Sequence, residues 1–288
     1  MKKSKLRFWG FLLPALLSFI LIVVIPMIMG LYYAFRSWNG VSTDSEFTGI
    51  DNFIRLFTND NDFLRALLFT AAVAVFVIVL VNVIGFALAL FVTQKFKGAT
   101  LLRAVFFMPN LIGGLLLGFT WSFIFTNVFS TIGNALHLEF LQGWLSNPET
   151  GFIGIIILSV WQMSGYMMII YIAQLQQIPV SAKEAAKIDG ANWWQTLRSI
   201  TIPLVMPAFT IGLFLSISNS FKMFDQNLAL TKGGPYHSTE MLALNIYNSA
   251  FAVNEFGYAQ AKAIIFLIIV AGVGITQLIL TKRKEVEM

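Results

Sequence analysis

Six long apolar runs limit most severely what this chain can become. They lie at about Trp9 to Tyr33, Ala66 to Thr93, Ala104 to Phe125, Phe152 to Leu175, Pro203 to Phe221 and Tyr258 to Thr281. The hydrocarbon core of a bilayer is ~30 Å thick, so a helical crossing needs about 20 mainly apolar residues. In lipid every backbone polar group must be satisfied internally, and continuous runs of this length do so as α-helices. Only 11% of the 288 residues are charged, against roughly 25% in a soluble domain, and the mean hydropathy is +0.77. The expectation is an all-α, polytopic membrane protein with six transmembrane helices.

The first run follows "MKKSKLR". A secretory signal has an apolar stretch of about 7–15 residues; this one is longer and reads as a retained anchor. The chain has no cysteine, which removes disulfides and thiolate metal sites. His137 and His237 fall outside the runs, and neither has a second histidine or a carboxylate at metal-ligand spacing, so both read as solvated loop residues. No metal site is expected.

Basic residues near short loops are held in the cytoplasm, and here they alternate along the chain. Lys2, Lys3, Lys5 and Arg7, then Lys95, Lys97 and Arg103, then Lys183, Lys187 and Arg198, then Lys282, Arg283 and Lys284 place 13 of the 19 basic residues on one side. The opposite connections carry Asp44, Glu46, Asp51, Asp60, Asp62, Glu139, Glu149, Asp225, Glu240 and Glu255. Both termini are therefore expected in the cytoplasm. The net charge of +5 follows from membrane orientation and implies lipid, not nucleic acid, as its partner.

Ionisable side chains at a helix centre cost at least ~2.5–3.5 kcal/mol and mark proton or ion paths where they persist. The central portions of the six runs hold none. That argues against a proton-coupled transporter, a pump, an ion channel or an intramembrane hydrolase, and no catalytic residues are assigned. No GxxxxGK[ST] phosphate loop occurs, so no cofactor is expected in this chain, and any ATP and Mg belong to another protein.

Neutral polar residues are placed more tellingly. "SVWQMSGY" sets Trp161, Gln162 and Tyr166 close together, the last two one helical turn apart. "SISNSF" sets Ser216, Asn219 and Ser220 on one expected face. These six are candidates for lining a path suited to an uncharged, hydroxyl-rich solute, although for any one of them interhelical packing is the commoner role of such a residue in a membrane bundle. The third run holds Pro109, Gly113, Gly114 and Gly118, from which a kinked, closely packed helix is expected.

One polar stretch interrupts the oil: "KEAAKIDGANWWQTLRSITIP". Pro179 ends the preceding segment, Ser181 is placed as an N-cap, and Glu184 three residues on would complete a capping box. Ala182, Ala185 and Ala186 favour helix and leave a slim surface. Gly190 can close that helix in the left-handed conformation. A second short helix is expected from about Asn192 to Ile200, ended by Pro203, with Trp193 and Trp194 at the membrane interface. A slim helix with a fixed corner suits docking into a groove of another protein.

The stretch resembles the EAA motif of ABC importer permeases. The pattern EAA, three residues, Gly, nine residues, Ile-x-Leu-Pro falls on Glu184, Ala185, Ala186, Gly190, Ile200 and Pro203, with Ile202 in the leucine place. "FTGIDNFIRLF", "LRAVFFMPN" and "LALTKGGPYHSTEMLALNIYNSAF" are similar to carbohydrate-type permeases, maltose-like and glycerol-phosphate-like. By its residues alone "TKGGPYHS" reads as an exposed turn.

The resemblance implies the type I ABC importer permease fold and a bacterial inner or plasma membrane protein that imports a sugar or oligosaccharide. Its partners would be a second homologous permease subunit, two ATPase subunits and an extracytoplasmic solute-binding protein. Glu184, Ala185, Ala186, Asp189 and Gly190 would form the coupling helix on the ATPase. The expected organisation is a first part over 1–65 with the anchor and first external loop, a permease core over 66–281 with the coupling helix at 181–200, and a cytoplasmic tail over 282–288. The rivals are the same machine carrying a glycerol phosphodiester or another small polar solute, an ATP-independent secondary transporter, and a non-transporting membrane scaffold or sensor.

Overall fold

A computed structural model describes residues 2–42, 44–94 and 96–283, with the side chains of 2–7 outside the description. The side chains of Lys2, Lys3, Lys5 and Arg7, and Lys95 and Lys284 altogether, used above for orientation, therefore lie outside what is described. The chain is almost wholly helical. Among the described residues six helices are long and apolar enough to cross a membrane: α1 (Phe8–Ala34), α3 (Asn61–Val92), α5 (Gly114–Leu136), α6 (Pro148–Leu175), α8 (Trp193–Phe221) and α11 (Phe256–Lys282). Between them lie the shorter α2 (Asp51–Thr58), α4 (Ala99–Leu111), α7 (Val180–Ile188), α9 (Asp225–Leu230) and α10 (Leu242–Phe251). A two-residue antiparallel pair, β1 (Arg36–Ser37) with β2 (Glu46–Phe47), folds the loop after α1.

Four crossings fall where the runs place them, within about five residues, and the fifth begins ten residues earlier than its run, at Trp193. The third is corrected. The run at 104–125 is not one kinked helix: α4 stops at Leu111, Ile112 and Gly113 are extended, and α5 starts afresh at Gly114 and continues to Leu136. Pro109 tightens the end of α4 into a 3-10 turn, and an extended Ile112 (φ −86°, ψ 131°) breaks the ladder outright where a proline kink would only bend it.

The described residues form two compact units. The larger comprises 64–244 with 269–288. Its core runs along α3 through Val73, Val77 and Val81, four residues apart, onto Ile155, Leu158, Met167 and Tyr171 of α6. α6 is the most enclosed of the six crossings. Between lipid-bathed helices the hydrophobic effect offers no net gain, so close packing and interhelical hydrogen bonds hold such a bundle. α5 meets α9 on this principle: a Cβ added at Gly114 would sit 2.8 Å from the Cβ of Asp225, and one at Gly118 2.5 Å from that of Ala229. Only glycines four apart let these two backbones approach so closely.

The smaller unit comprises the described residues of 1–63 with 245–268. Asn52 ties its loop down, donating from Nδ2 to the carbonyls of Ala34 (2.9 Å) and Arg36 (3.1 Å). α1 is apolar and exposed along nearly its whole length.

Candidate functional site

The polar stretch is a helix, a corner and the start of the next crossing. α7 begins at Val180 with Pro179 (ψ 133°) as its N-cap, and no side chain caps it. The expected Ser181–Glu184 capping box is therefore absent. Pro179, extended, hands its carbonyl to the Ala182 amide (3.2 Å), which starts the helix two residues early and places Ser181 inside the first turn. The box exists at the next helix instead. Gln195 donates its amide to Asn192 Oδ1 (2.9 Å), and Asn192 donates its own to Gln195 Oε1 (2.8 Å). The signal was in the sequence: Asn followed three residues later by Gln is a recognised variant of the pattern.

Gly190 has φ +76°, as expected. Its amide reaches the Lys187 carbonyl (3.2 Å) and that of Ala191 reaches Ala186 (2.9 Å), the paired closing bonds of a Schellman turn. Asp189 is the C-cap. The second helix does not end at Pro203. It passes through a wide π turn at Leu197–Thr201 and continues to Phe221, because that turn absorbs the bond a proline cannot make.

The faces of α7 differ from the slim alanine surface expected. Ala185 is exposed, but Ala186 is only 6% exposed and packs into its own chain. The outward ridge is Val180, Glu184 and Ile188, spaced four apart, with Ile188 85% exposed.

The second group lies in the larger unit where α4 and α5 part. Gln162, the fifteenth of the 28 residues of α6, donates from Nε2 to the Ile112 carbonyl left open by the break (3.3 Å). Gln226 of α9 donates in turn to Gln162 Oε1 (2.9 Å). Irregular backbone at membrane depth is tolerated only where protein buries it or a cavity adjoins it, and here a 710 Å³ apolar cavity does, lined by Ile112, Pro109 and Trp161 among others. Tyr166 is partly buried against the core. The exposed Asp225 precedes Gln226 in the connection between α8 and α11, and that connection reaches the middle of α6 through Gln226.

Ser216, Asn219 and Ser220 do not share a face. Ser216 and Ser220 are fully buried while Asn219 is exposed. Adjacent helical residues stand about 100° apart, so 219 and 220 flank 216 on opposite sides, and the edge of the packed surface falls between them. Ser216 accepts from Asn82 Nδ2 (2.9 Å), and Asn82 Oδ1 accepts from the Tyr171 hydroxyl (2.5 Å). Asn82 and Tyr171, absent from the sequence-based candidates, bind three crossings together.

The smaller unit holds a buried charge. Lys262, the seventh residue of α11 and 3% exposed, reaches Asp60 Oδ2 (2.7 Å), Asn245 Oδ1 (2.9 Å) and Ser249 Oγ (2.9 Å). Burial pushes the Asp60 carboxyl up, but hydrogen bonds from Lys262, the Phe63 amide and the Tyr258 hydroxyl outweigh it, and the pKa lies below its usual value. Asp60 precedes α3, so its titration belongs to the loop.

Two loop readings are corrected. His237 does have a carboxylate partner, since Glu240 Oε2 lies 2.6 Å from Nδ1; two groups make no metal site, and none of three or more such ligands occurs among the described residues. "TKGGPYHS" is not wholly exposed. Within it Gly233 is buried and the Gly234 carbonyl accepts from the buried Thr239 hydroxyl that follows the stretch (2.6 Å), while Tyr236 stands 94% exposed.

A helix broken and bridged by amides within the larger unit, with a helix and left-handed corner between the fourth and fifth of six apolar crossings, is the architecture of a multi-pass membrane protein. The chain belongs to the family of binding-protein-dependent transport system inner membrane components, whose sequence profile matches residues 82–286. It is 49% identical over 286 residues to the probable starch degradation products transport system permease protein AmyD of Thermoanaerobacterium thermosulfurigenes, covering 99% of this chain and 97% of that one. It is 35% identical to the multiple sugar-binding transport system permease protein MsmF of Streptococcus mutans, covering 97% of each. Its fold is that of an ABC importer permease, matching a chain of a bacterial transporter involved in import of the acidic polysaccharide alginate with a TM-score of 0.84, 21% identity, and coverage of 98% and 96%.

Proposed function

We propose that this permease carries a sugar or oligosaccharide across the cell membrane, driven by ATP hydrolysed in two partner ATPase subunits. The observation that carries the reading is the Gln226–Gln162–Ile112 chain at mid-crossing. It offers neutral amides, suited to hydroxyls, beside a cavity. Sugar permeases at 49% and 35% identity over nearly the whole chain support the cargo class. A glycerol phosphodiester would call for unbalanced positive charge. The residues that line the 710 Å³ cavity carry no charge.

In this reading both termini are cytoplasmic, a second permease subunit completes the path, and a solute-binding protein delivers cargo from outside. The ridge Val180–Glu184–Ile188 and the corner at Asp189 and Gly190 seat in the ATPase. ATP and Mg are bound by that partner, and this chain is a conduit without catalytic groups. The test is uptake of labelled maltooligosaccharides and of glycerophosphocholine by vesicles holding the reconstituted complex. Saccharide uptake that needs ATP supports the reading; uptake of the phosphodiester alone overturns the cargo.

A further inference from the structure

A cavity of about 320 Å³ lies within the larger unit at the end of the bundle that carries α7. Its position is set by three crossings. Thr93 follows the last residue of α3, Gln176 follows the last of α6, and Trp193 is the first of α8. It therefore sits at headgroup depth, where tryptophan is favoured. Its floor is apolar, with Leu90, Leu175 and Leu197, and Lys183 of α7 closes one side.

The donors that ring it are few and specific. The hydroxyls of Thr93 and Thr196 already donate to the carbonyls of Ala89 (2.7 Å) and Asn192 (3.0 Å). That leaves the ammonium of Lys183, the amide of Gln176, the indole N–H of Trp193 and the hydroxyl of Thr201, and no carboxylate lines the space. Lys97, Lys187 and Arg198 are exposed at the same end. A greasy floor, a cationic rim and an interfacial indole at the end of membrane crossings match an amphiphile with a negative head, and basic pockets between crossings on the cytoplasmic side are where such headgroups bind. At 320 Å³ the space falls at the small end of ligand pockets, ~300–1,000 Å³, which suits a headgroup better than an acyl chain.

We propose that this cavity binds the phosphate-bearing headgroup of an anionic phospholipid, with Lys183 as its cation. The site goes beyond the transport path. Its walls join α7 to α3, α6 and α8, so an occupied cavity braces the helix that meets the ATPase against three crossings.

The test is lipid retention by the intact complex. The complex is reconstituted in nanodiscs of phosphatidylcholine and phosphatidylglycerol in equal parts, released, and weighed by native mass spectrometry. Wild type is expected to keep phosphatidylglycerol. Lys183→Gln should lower retention about fivefold, the effect of one lysine at a membrane surface, and Trp193→Leu should lower it too. Lys187→Gln, outside the cavity, should not. Equal retention in wild type and Lys183→Gln overturns the site. Should Lys183→Gln fail to assemble, Trp193→Leu decides in the same way. Displacement by inorganic phosphate assigns the cavity to a free anion and overturns the lipid. Saccharide uptake is a separate measurement, so failure here leaves the cargo reading standing and the reverse also holds.

Discussion

Gln226 donates its side-chain amide to Gln162 across 2.9 Å, and Gln162 passes its own amide hydrogen to the open carbonyl of Ile112 at 3.3 Å. The pair answers a backbone carbonyl left open where the third apolar run breaks, opposite the middle of α6. A residue that merely packed two helices would not need to answer a broken ladder.

Gln162→Ala should reduce saccharide uptake about three- to tenfold while assembly and basal ATP hydrolysis stay close to wild type, since a neutral hydrogen bond contributes ~0.5–1.5 kcal/mol. Uptake per assembled complex is the measurement. Loss of assembly in proportion to uptake would assign Gln162 to packing alone. Asn219→Ala, on the exposed side of α8, should behave like Gln162→Ala.

The buried Ser216–Asn82–Tyr171 network should behave in the opposite way. Tyr171→Phe and Asn82→Leu leave buried polar partners unmatched, which costs ~1–3 kcal/mol, so thermal stability of the complex should fall with uptake. Ser220→Ala should cost almost nothing, because the buried Ser220 hydroxyl has no hydrogen-bond partner. Stability curves in lipid check all three; a large loss for Ser220→Ala would show that the hydroxyl is used.

Crossings and corner were legible because they are local. Length and apolarity define a span, and a left-handed Gly190 needs only its own turn. What escaped depended on partners distant in sequence. Asn82 reads as one amide in a greasy run until Tyr171 and Ser216 meet it. Lys262 reads as an end-of-span lysine until Asp60, Asn245 and Ser249 enclose it. Ser216, Asn219 and Ser220 were grouped by periodicity, which tells residue spacing but not where the packed face ends. The capping box was a local error: Ser181 has the right chemistry, but Pro179 had already started the helix.

Lys262→Met should destabilise the smaller unit strongly, because removing one partner of a buried pair costs about 3–5 kcal/mol, and Lys262→Met with Asp60→Leu should recover part of the loss. The pH dependence follows from the lowered Asp60 pKa. A depressed carboxylate contributes stability above the ordinary value of about 4 and loses it as pH falls through the native value. Thermal stability should therefore decline below about pH 4, and Asp60→Asn should flatten that part of the curve. An unchanged curve in Asp60→Asn would remove Asp60 from the account.

The orientation is checked with single cysteines, unambiguous in a chain that has none. In sealed cells, Asp51→Cys and His237→Cys should react with an impermeant maleimide from outside, while Lys97→Cys and Lys187→Cys should be protected. Outside labelling at Lys187 would invert the topology and detach α7 from any cytoplasmic ATPase.

The corner of α7 provides the sharpest test of coupling. Gly190 has φ +76° and open space where a Cβ would go, so a side chain there meets no neighbour and its cost is purely conformational. Alanine should cost roughly 1 kcal/mol and a β-branched residue more, comparable with the two closing bonds to Lys187 and Ala186. Gly190→Val should insert and assemble with its sister permease, yet lose ATPase co-purification and solute-stimulated hydrolysis. Ile188→Ser, which removes an exposed apolar side chain without touching the turn, should weaken ATPase binding while thermal stability stays unchanged. Ala186→Trp should act differently from both: its site is buried in this chain, so bulk there should reduce stability before any partner is met. Normal ATPase binding and normal stimulated hydrolysis in both Gly190→Val and Ile188→Ser would reduce the stretch to a well-capped loop.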